Sequence, residues 1–443
     1  MINMTTTRLA LAALRAHRPA FAGTAVAALF ASAVMSASTT MLWATSGVRT
    51  EGVGDMALVL LIGSIYMSIF VVVSTMGTAV TQQHRELALV RAVGARSGQV
   101  RRAVAAQALA ASVPAALLGC AGGCALARVW FDGMVEHGLI PAGTAFSLTW
   151  LAVPLSVGVT AVTSTLAAVL SVLRFSLLRP ARALEEAATG RRTLGLVRTP
   201  LGLAAVAGGV ALSVLLSRGP ADKAGQGAFL VLILFCVGTG LLGPRIIGPA
   251  AWLVSALVGR FGSSARLAML NIRTQPRRFA AAVVPLVLVV GFGLTKIGVR
   301  TTAEHRTGSA GARGEVWLDY FGTGLYAGFA AIAAANTLAM ISFERRRDVA
   351  LLRVVGSRRR QVRAMAAWEA AMVALTSLLL GTAIALATLA PLLDAAFGSP
   401  LPYLPWPVAA SIAAGTLLLT LLATGLPVRS VLRSRAVHVL QAA

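Results

Sequence analysis

The stretch Arg85-Glu86-Leu87-Ala88-Leu89-Val90-Arg91-Ala92-Val93-Gly94-Ala95-Arg96 returns as Arg347-Asp348-Val349-Ala350-Leu351-Leu352-Arg353-Val354-Val355-Gly356-Ser357-Arg358. Gln99-Val100 and Gln361-Val362 follow at the same distance, and nine of the sixteen aligned positions are identical. A long apolar run precedes each copy and another follows it. Each copy reads as a polar helical segment that leaves the membrane and stops at glycine. Gly94 and Gly356 stand where a left-handed cap would release the chain into a turn, and helix resumes near Gln99 or Gln361. The bland reading makes these segments basic loops that meet lipid headgroups. It leaves unexplained the repeated order of acid, small residue, leucine, arginine, glycine and glutamine. Docking against something present in two copies accounts for that order.

Away from these segments the chain is built for lipid. It has 443 residues, 57% of them hydrophobic and 12% charged, with a mean hydropathy of +0.80. Ten apolar runs approach the roughly 20 residues a bilayer crossing needs: 20–42, 57–80, 104–127, 150–172, 200–217, 227–247, 279–298, 321–342, 367–390 and 408–428. The net charge of +24 first points to nucleic acid. Its distribution points instead to orientation: only Arg49, Arg128, Arg218, Lys223, Lys296, Arg300, Arg306 and Arg313 fall on one side, and the rest of the 39 basic residues fall on the other. By the positive-inside rule the crowded side is cytoplasmic, as are both termini, and no nucleic-acid partner is expected.

Parallel repetition organises the chain. Arg8-Leu9-Ala10, Arg15 and Phe21 recur as Arg266-Leu267-Ala268, Arg273 and Phe279, each before an apolar run. The internal copy cannot be a cleaved leader, so the first is expected to be retained despite Ala31-Ser32-Ala33. The fold class expected is an all-α polytopic membrane protein of about ten transmembrane helices. Two parallel four-helix repeats, 1–185 and 264–443, are joined by a two-helix linker, 186–263. After each short segment, Ala115-x3-Gly119-x3-Gly123 and Ser377-x3-Gly381-x3-Ala385 place small residues on one helix face, which lets helix backbones approach. Gly119, Gly123, Ser377 and Gly381 are the packing residues expected from this spacing. Gln107 and Glu369 correspond at the inner edge.

No G-x-x-x-x-G-K-[ST] phosphate loop occurs, and no catalytic triad or metal-ligand motif. Cys120, Cys124 and Cys236 lie within apolar runs and read as packing residues. Mid-membrane charges of the kind a secondary carrier uses are missing from the ten runs. Energy must then come from another chain.

Asn336-Thr337-Leu338 through Glu344, Arg347–Arg353, Gly356, Gln361 and Trp368-Glu369-Ala370 resemble the permease domain of the FtsX/MacB-like ABC transporter family. Ser74-Thr75 through Arg85–Arg91, Gly94 and Gln99 are similar, with Gln107 in place of the glutamate. The resemblance implies two coupling helices seated on a cytoplasmic ABC ATPase, two copies of it for one chain. The coupling residues would be Arg85, Glu86, Leu87, Ala88, Leu89, Arg91, Gly94 and Gln99, with Arg347, Asp348, Val349, Ala350, Leu351, Arg353, Gly356 and Gln361. This chain would need no cofactor; ATP and Mg would belong to the partner. It also implies a bacterial cell membrane and export or extraction of an amphiphile, peptide or lipid-linked compound. Many relatives carry a large extracytoplasmic domain after the first helix, where here only residues 43–56 stand. Alternatives are a mechanotransmitter that relays ATPase motion to an extracellular partner, such as a cell-wall hydrolase or sensor, and a secondary carrier. The closing segments differ, Arg179-Pro180 in one and Arg435-Ala436 in the other.

The charge asymmetry predicts that cysteines introduced in 43–56, 129–149, 299–320 and 391–407 react with an impermeant thiol reagent in intact cells. Labelling of 86–100 from outside would overturn this orientation.

Overall fold

The structure, a computed structural model, describes residues 18–46, 53–177, 198–218, 221–258, 262–308, 313–344 and 346–433. The expected basic entry at Arg8 and Arg15 and the closing pairs Arg179-Pro180 and Arg435-Ala436 lie outside the described residues. Every regular element described is α-helical. Lipid dictates this, because a helix satisfies its backbone groups within one segment. In chain order these are α1 (Arg18–Thr45), α2 (Val53–Gln82), α3 (His84–Ala92), α4 (Ser97–Glu136) and α5 (Ala152–Leu177). Then come α6 (Arg198–Ser217), α7 (Ala221–Leu242), α8 (Pro244–Val258), α9 (Ser263–Thr274) and α10 (Pro276–Thr307). The last are α11 (Arg313–Glu344), α12 (Arg346–Val354), α13 (Arg359–Phe397) and α14 (Trp406–Arg433).

Among the described residues eight helices are long and apolar enough to cross a membrane: α1, α4, α5, α6, α10, α11, α13 and α14. Helix α2 carries a shorter apolar stretch, Leu61–Gly77. The run 227–247, expected as one crossing, breaks at Gly243. That residue has φ +43°, and its amide closes α7 by donating to the Thr239 carbonyl at 2.8 Å. Pro244 then starts α8, where its missing N–H costs no helix bond. The axis turns by 85° between Leu230–Leu242 and Arg245–Val254.

Two compact units emerge, residues 1–193 with 312–329 and residues 194–311 with 330–443. In the first, α1 runs against α4 at the small residues. A Cβ on Gly119 would strike the Leu29 carbonyl oxygen, and one on Gly123 would lie 2.6 Å from the Ala33 oxygen. Ser32 Oγ donates to the Ala116 carbonyl at 2.8 Å and meets Cys120 Sγ at 3.2 Å, and Cys120 Sγ meets Ser156 Oγ at 3.0 Å. The three side chains tie α1, α4 and α5 together through buried polar contacts. At the C-terminal end of α4, the Trp317 ring lies against Gly133, where a Cβ would meet it, and stacks on His137 with centroids 4.7 Å apart.

In the second unit α10 packs on α13 in the same manner. A Cβ on Gly381 would lie 2.7 Å from Val290 Cγ1 and 3.2 Å from the Gly291 amide nitrogen. Ser377 Oγ donates to Val373 O at 2.8 Å and faces Val283 O at 3.5 Å. Around these residues Val290, Leu294 and Ala385 form an apolar cluster with Leu378, Leu404 and Ile412. Helix α7 lies on this pair, with Leu232 Cδ1 3.2 Å from a Cβ built on Gly291. The C-terminal end of α10 holds the segment before α14: Thr301 Oγ1 donates to Tyr403 O at 2.6 Å, and the Tyr403 amide donates to Thr302 Oγ1 at 2.8 Å.

Gly119→Val or Gly123→Val is expected to destabilise the first unit by about 1–3 kcal/mol, the cost of overpacking a tight contact. Gly122→Ala is the control, because its added Cβ meets nothing within 4 Å and alanine favours helix by about 1 kcal/mol. Denaturant titration in mixed micelles compares them.

Candidate functional site

Helix α3 follows α2 after a single residue, Gln83, and has nine residues. Glu86 lies in its first turn and Arg91 in its last, each on the end of the helix dipole that favours its charge. Leu87 and Ala88 turn inward and are buried with Phe21, Met76, Val80, Val100, Val104, Ala108, Ala167, Ala168 and Val172. At the other end Gly94 takes φ +111°. Its amide donates to Arg91 O at 3.0 Å, and the Ala95 amide reaches back to Val90 O at 3.2 Å. These are the paired bonds of a Schellman cap. The Arg96 amide then donates to Gln99 Oε1 at 2.9 Å. Arginine has no acceptor with which to return that bond, so Gln99 caps the start of α4 from one side only.

Helix α12 repeats this construction. Asp348 is in its first turn and Arg353 in its last. Val349 is buried with Val362, Ala366, Val428 and Leu432, and Ala350 is buried beside it in sequence. Gly356 takes φ +102°, its amide donates to Arg353 O at 3.2 Å, and the Ser357 amide donates to Leu352 O at 3.0 Å. The Arg358 amide donates to Gln361 Oε1 at 2.9 Å. Asp348 also pairs with Arg278 at 3.7 Å, both side chains being about half exposed.

Burial sorts the sixteen residues singled out in the sequence. Leu87, Ala88, Val349 and Ala350 seat each short helix on its own bundle. Gln99 and Gln361 are cap residues, and Gly94 and Gly356 make the exits. Arg91 and Arg353 are half-buried, and Glu86 and Asp348 are exposed. The side chains of Arg85 and Arg347 lie outside the described set. Leu89 and Leu351 turn outward, 51% and 47% exposed.

Two residues outside that set matter as much. Val93 is 91% exposed and Val355 85%. Each lies four residues beyond its leucine, so Glu86, Leu89 and Val93 share one face, as do Asp348, Leu351 and Val355. Their identity in both copies was the signal available in the sequence. Within the N-terminal parts of α4 and α13, Gln107 and Glu369 are buried. Asn271 on α9 donates to Glu369 Oε1 at 2.6 Å.

Comparison with known proteins agrees with this duplication. No curated protein matches the chain. The family model described as FtsX-like permease C-terminal matches it twice, over residues 58–178 and 320–436. Each match contains one short surface helix with the long helix that follows it. Together the two cover more than half of the chain, which therefore belongs to the FtsX-like permease family and carries two such domains in a multi-pass, non-catalytic membrane component of an ABC-type system.

Proposed function

We propose that this permease couples ATP hydrolysis by a separate cytoplasmic ATPase to export or extraction of an amphiphile, peptide or lipid-linked compound, with α3 and α12 seated on two ATPase copies. One observation carries this reading: two short helices each lock one face onto their own bundle and turn outward an acid with an aliphatic pair, Leu89–Val93 or Leu351–Val355. A helix laid in a partner's groove is read through anchors at this spacing. Valines this exposed contribute little to packing within the chain. Helices α4 and α13, of 40 and 39 residues, run about 60 Å from these turns, roughly twice the hydrocarbon thickness. Motion applied at the turn therefore reaches the opposite surface through one continuous rod. The short segments between crossings favour a substrate taken from the membrane over a mechanical relay to a protruding partner.

Val93→Asp/Val355→Asp is expected to weaken association with the cognate ATPase about tenfold or more, since burying a valine contributes roughly 1.5–3 kcal/mol. Both positions are exposed, so the membrane fold should survive, as judged by gel filtration. Gly94→Val/Gly356→Val tests the exit turns. A Cβ meets nothing within 4 Å at either, so any loss reports the positive φ, about 1–2 kcal/mol per residue. Glu86→Arg/Asp348→Arg should act more weakly, about 0.2–1 kcal/mol per exposed contact. Normal ATPase binding and stimulation in all three pairs would make these turns lipid-facing loops. The chain freed of its ATPase should hydrolyse no ATP; turnover by rigorously purified protein would refute its place as a subunit.

A further inference from the structure

The corner at Gly243 changes what the second half of the linker is. Helix α7 is apolar, and α8 leaves it at 85°, so with α7 across the bilayer α8 runs nearly parallel to the membrane surface. Ile247 and Ala251 of α8 are buried, whereas Trp252 and Leu253 are 61% and 57% exposed. Helix α9 follows closely in sequence and is also amphipathic. Ala265, Ala268 and Ile272 are buried, and Arg266, Leu270 and Arg273 are exposed. The last three are spaced i, i+4 and i+7, so one helix face carries a leucine bracketed by two arginines.

Charge identifies what covers these faces. From 244 to 274 the sequence contains Arg245, Arg260, Arg266 and Arg273 and no acidic residue. Two arginines brace the corner itself: Arg198 Nη2 donates to Gly240 O at 2.9 Å, and Arg245 Nη1 donates to Thr199 Oγ1 at 3.1 Å. A tryptophan–leucine face beside arginines, in a stretch with no acidic residue of its own, matches a helix lying in the interface of an anionic bilayer. The pair is also anchored, through Asn271 to the buried Glu369 of α13.

We propose that α8 and α9 form an in-plane platform that binds anionic phospholipid. Trp252, Leu253 and Leu270 sit at the acyl boundary, and Arg266 and Arg273 meet headgroup phosphates. The platform stands on the membrane fold alone and is independent of the ATPase.

The full-length chain, with Cys120, Cys124 and Cys236 replaced by alanine, is labelled with an environment-sensitive fluorophore at Leu253→Cys. It is then placed in nanodiscs of phosphatidylcholine with or without phosphatidylglycerol. The expected result is quenching by nitroxide near the top of the acyl chain and little quenching by aqueous iodide. Iodide quenching without nitroxide quenching would overturn the in-plane placement. In the mixed discs, spin-labelled phosphatidylglycerol should be several-fold enriched over spin-labelled phosphatidylcholine in the motionally restricted shell. Arg266→Gln/Arg273→Gln should remove most of that excess, whereas Arg128→Gln, at the far end of α4, should leave it. No excess in the wild type, or an excess unchanged by the α9 pair, would refute anionic-lipid binding. Because neither readout uses ATP, failure here leaves the coupling proposal standing, and the reverse also holds.

Discussion

The close approach of α4 to α1, and of α13 to α10, is the contact on which the rest of each unit depends. Inside lipid, apolar surface gains little by leaving one hydrocarbon environment for another, so helices associate through tight van der Waals contact. Gly119 and Gly123 permit it in one unit by having no side chain where Leu29 and Ala33 carbonyls arrive, and Gly381 permits it beside Val290 in the other. Once α4 is fixed, Val100 and Val104 at its N-terminal end form the floor on which Leu87 and Ala88 rest. Val362 and Ala366 do the same for Val349. The short surface helices are held where they are because helices deep in the membrane cannot slide.

Similar backbone contacts surround different interiors. In the first unit Ser32, Cys120 and Ser156 make a buried polar chain between three helices. Positions around the corresponding contact in the second unit are held by Val290, Leu294 and Ile412. Hydroxyl contacts are directional and fix how one helix is rotated against another. Aliphatic packing is set by shape and tolerates small rotations more readily. The matched surface helices and the mismatched interiors place different constraints on the two parts of one chain. The surface helices keep the same order of residues in both units, whereas each interior needs only to be well packed.

Much of this was legible in the sequence, for identifiable reasons. Apolar runs mark crossings because lipid leaves helices no alternative, and the repeated segment marks the surface because two copies constrain each other residue by residue. Gly94 and Gly356 were readable from the positive φ that a cap demands. The corner at Gly243 was not, since hydropathy records composition and is blind to direction: α7 and α8 together look like one apolar run. Spacing alone did not show that Gln99 and Gln361 also cap the helices they begin, their amide oxygens accepting from the Arg96 and Arg358 backbone N–H groups. Val93 and Val355 escaped notice because aliphatic residues next to a membrane segment look ordinary until their exposure is known.

The links around α12 show how a surface helix becomes mechanically connected. Asp348 reaches Arg278 at the start of α10 across 3.7 Å of half-exposed space, and such a pair contributes about 0–1 kcal/mol. It can orient α12 but cannot carry load. Asn271, partly buried, and Glu369, buried, are 2.6 Å apart and join α9 to α13 more firmly, because breaking that bond takes a hydrogen-bond partner from a buried side chain at a cost of about 1–3 kcal/mol. Gln275 and Pro276 then turn the chain from α9 into α10. Helix α9 is thus tied to α13 more firmly than α12 is tied to α10 by the exposed pair. The stronger link is made where Glu369 is buried and the weaker one where Asp348 is half exposed, so a load on α13 would be shared with α9 through the first and hardly at all with α12 through the second.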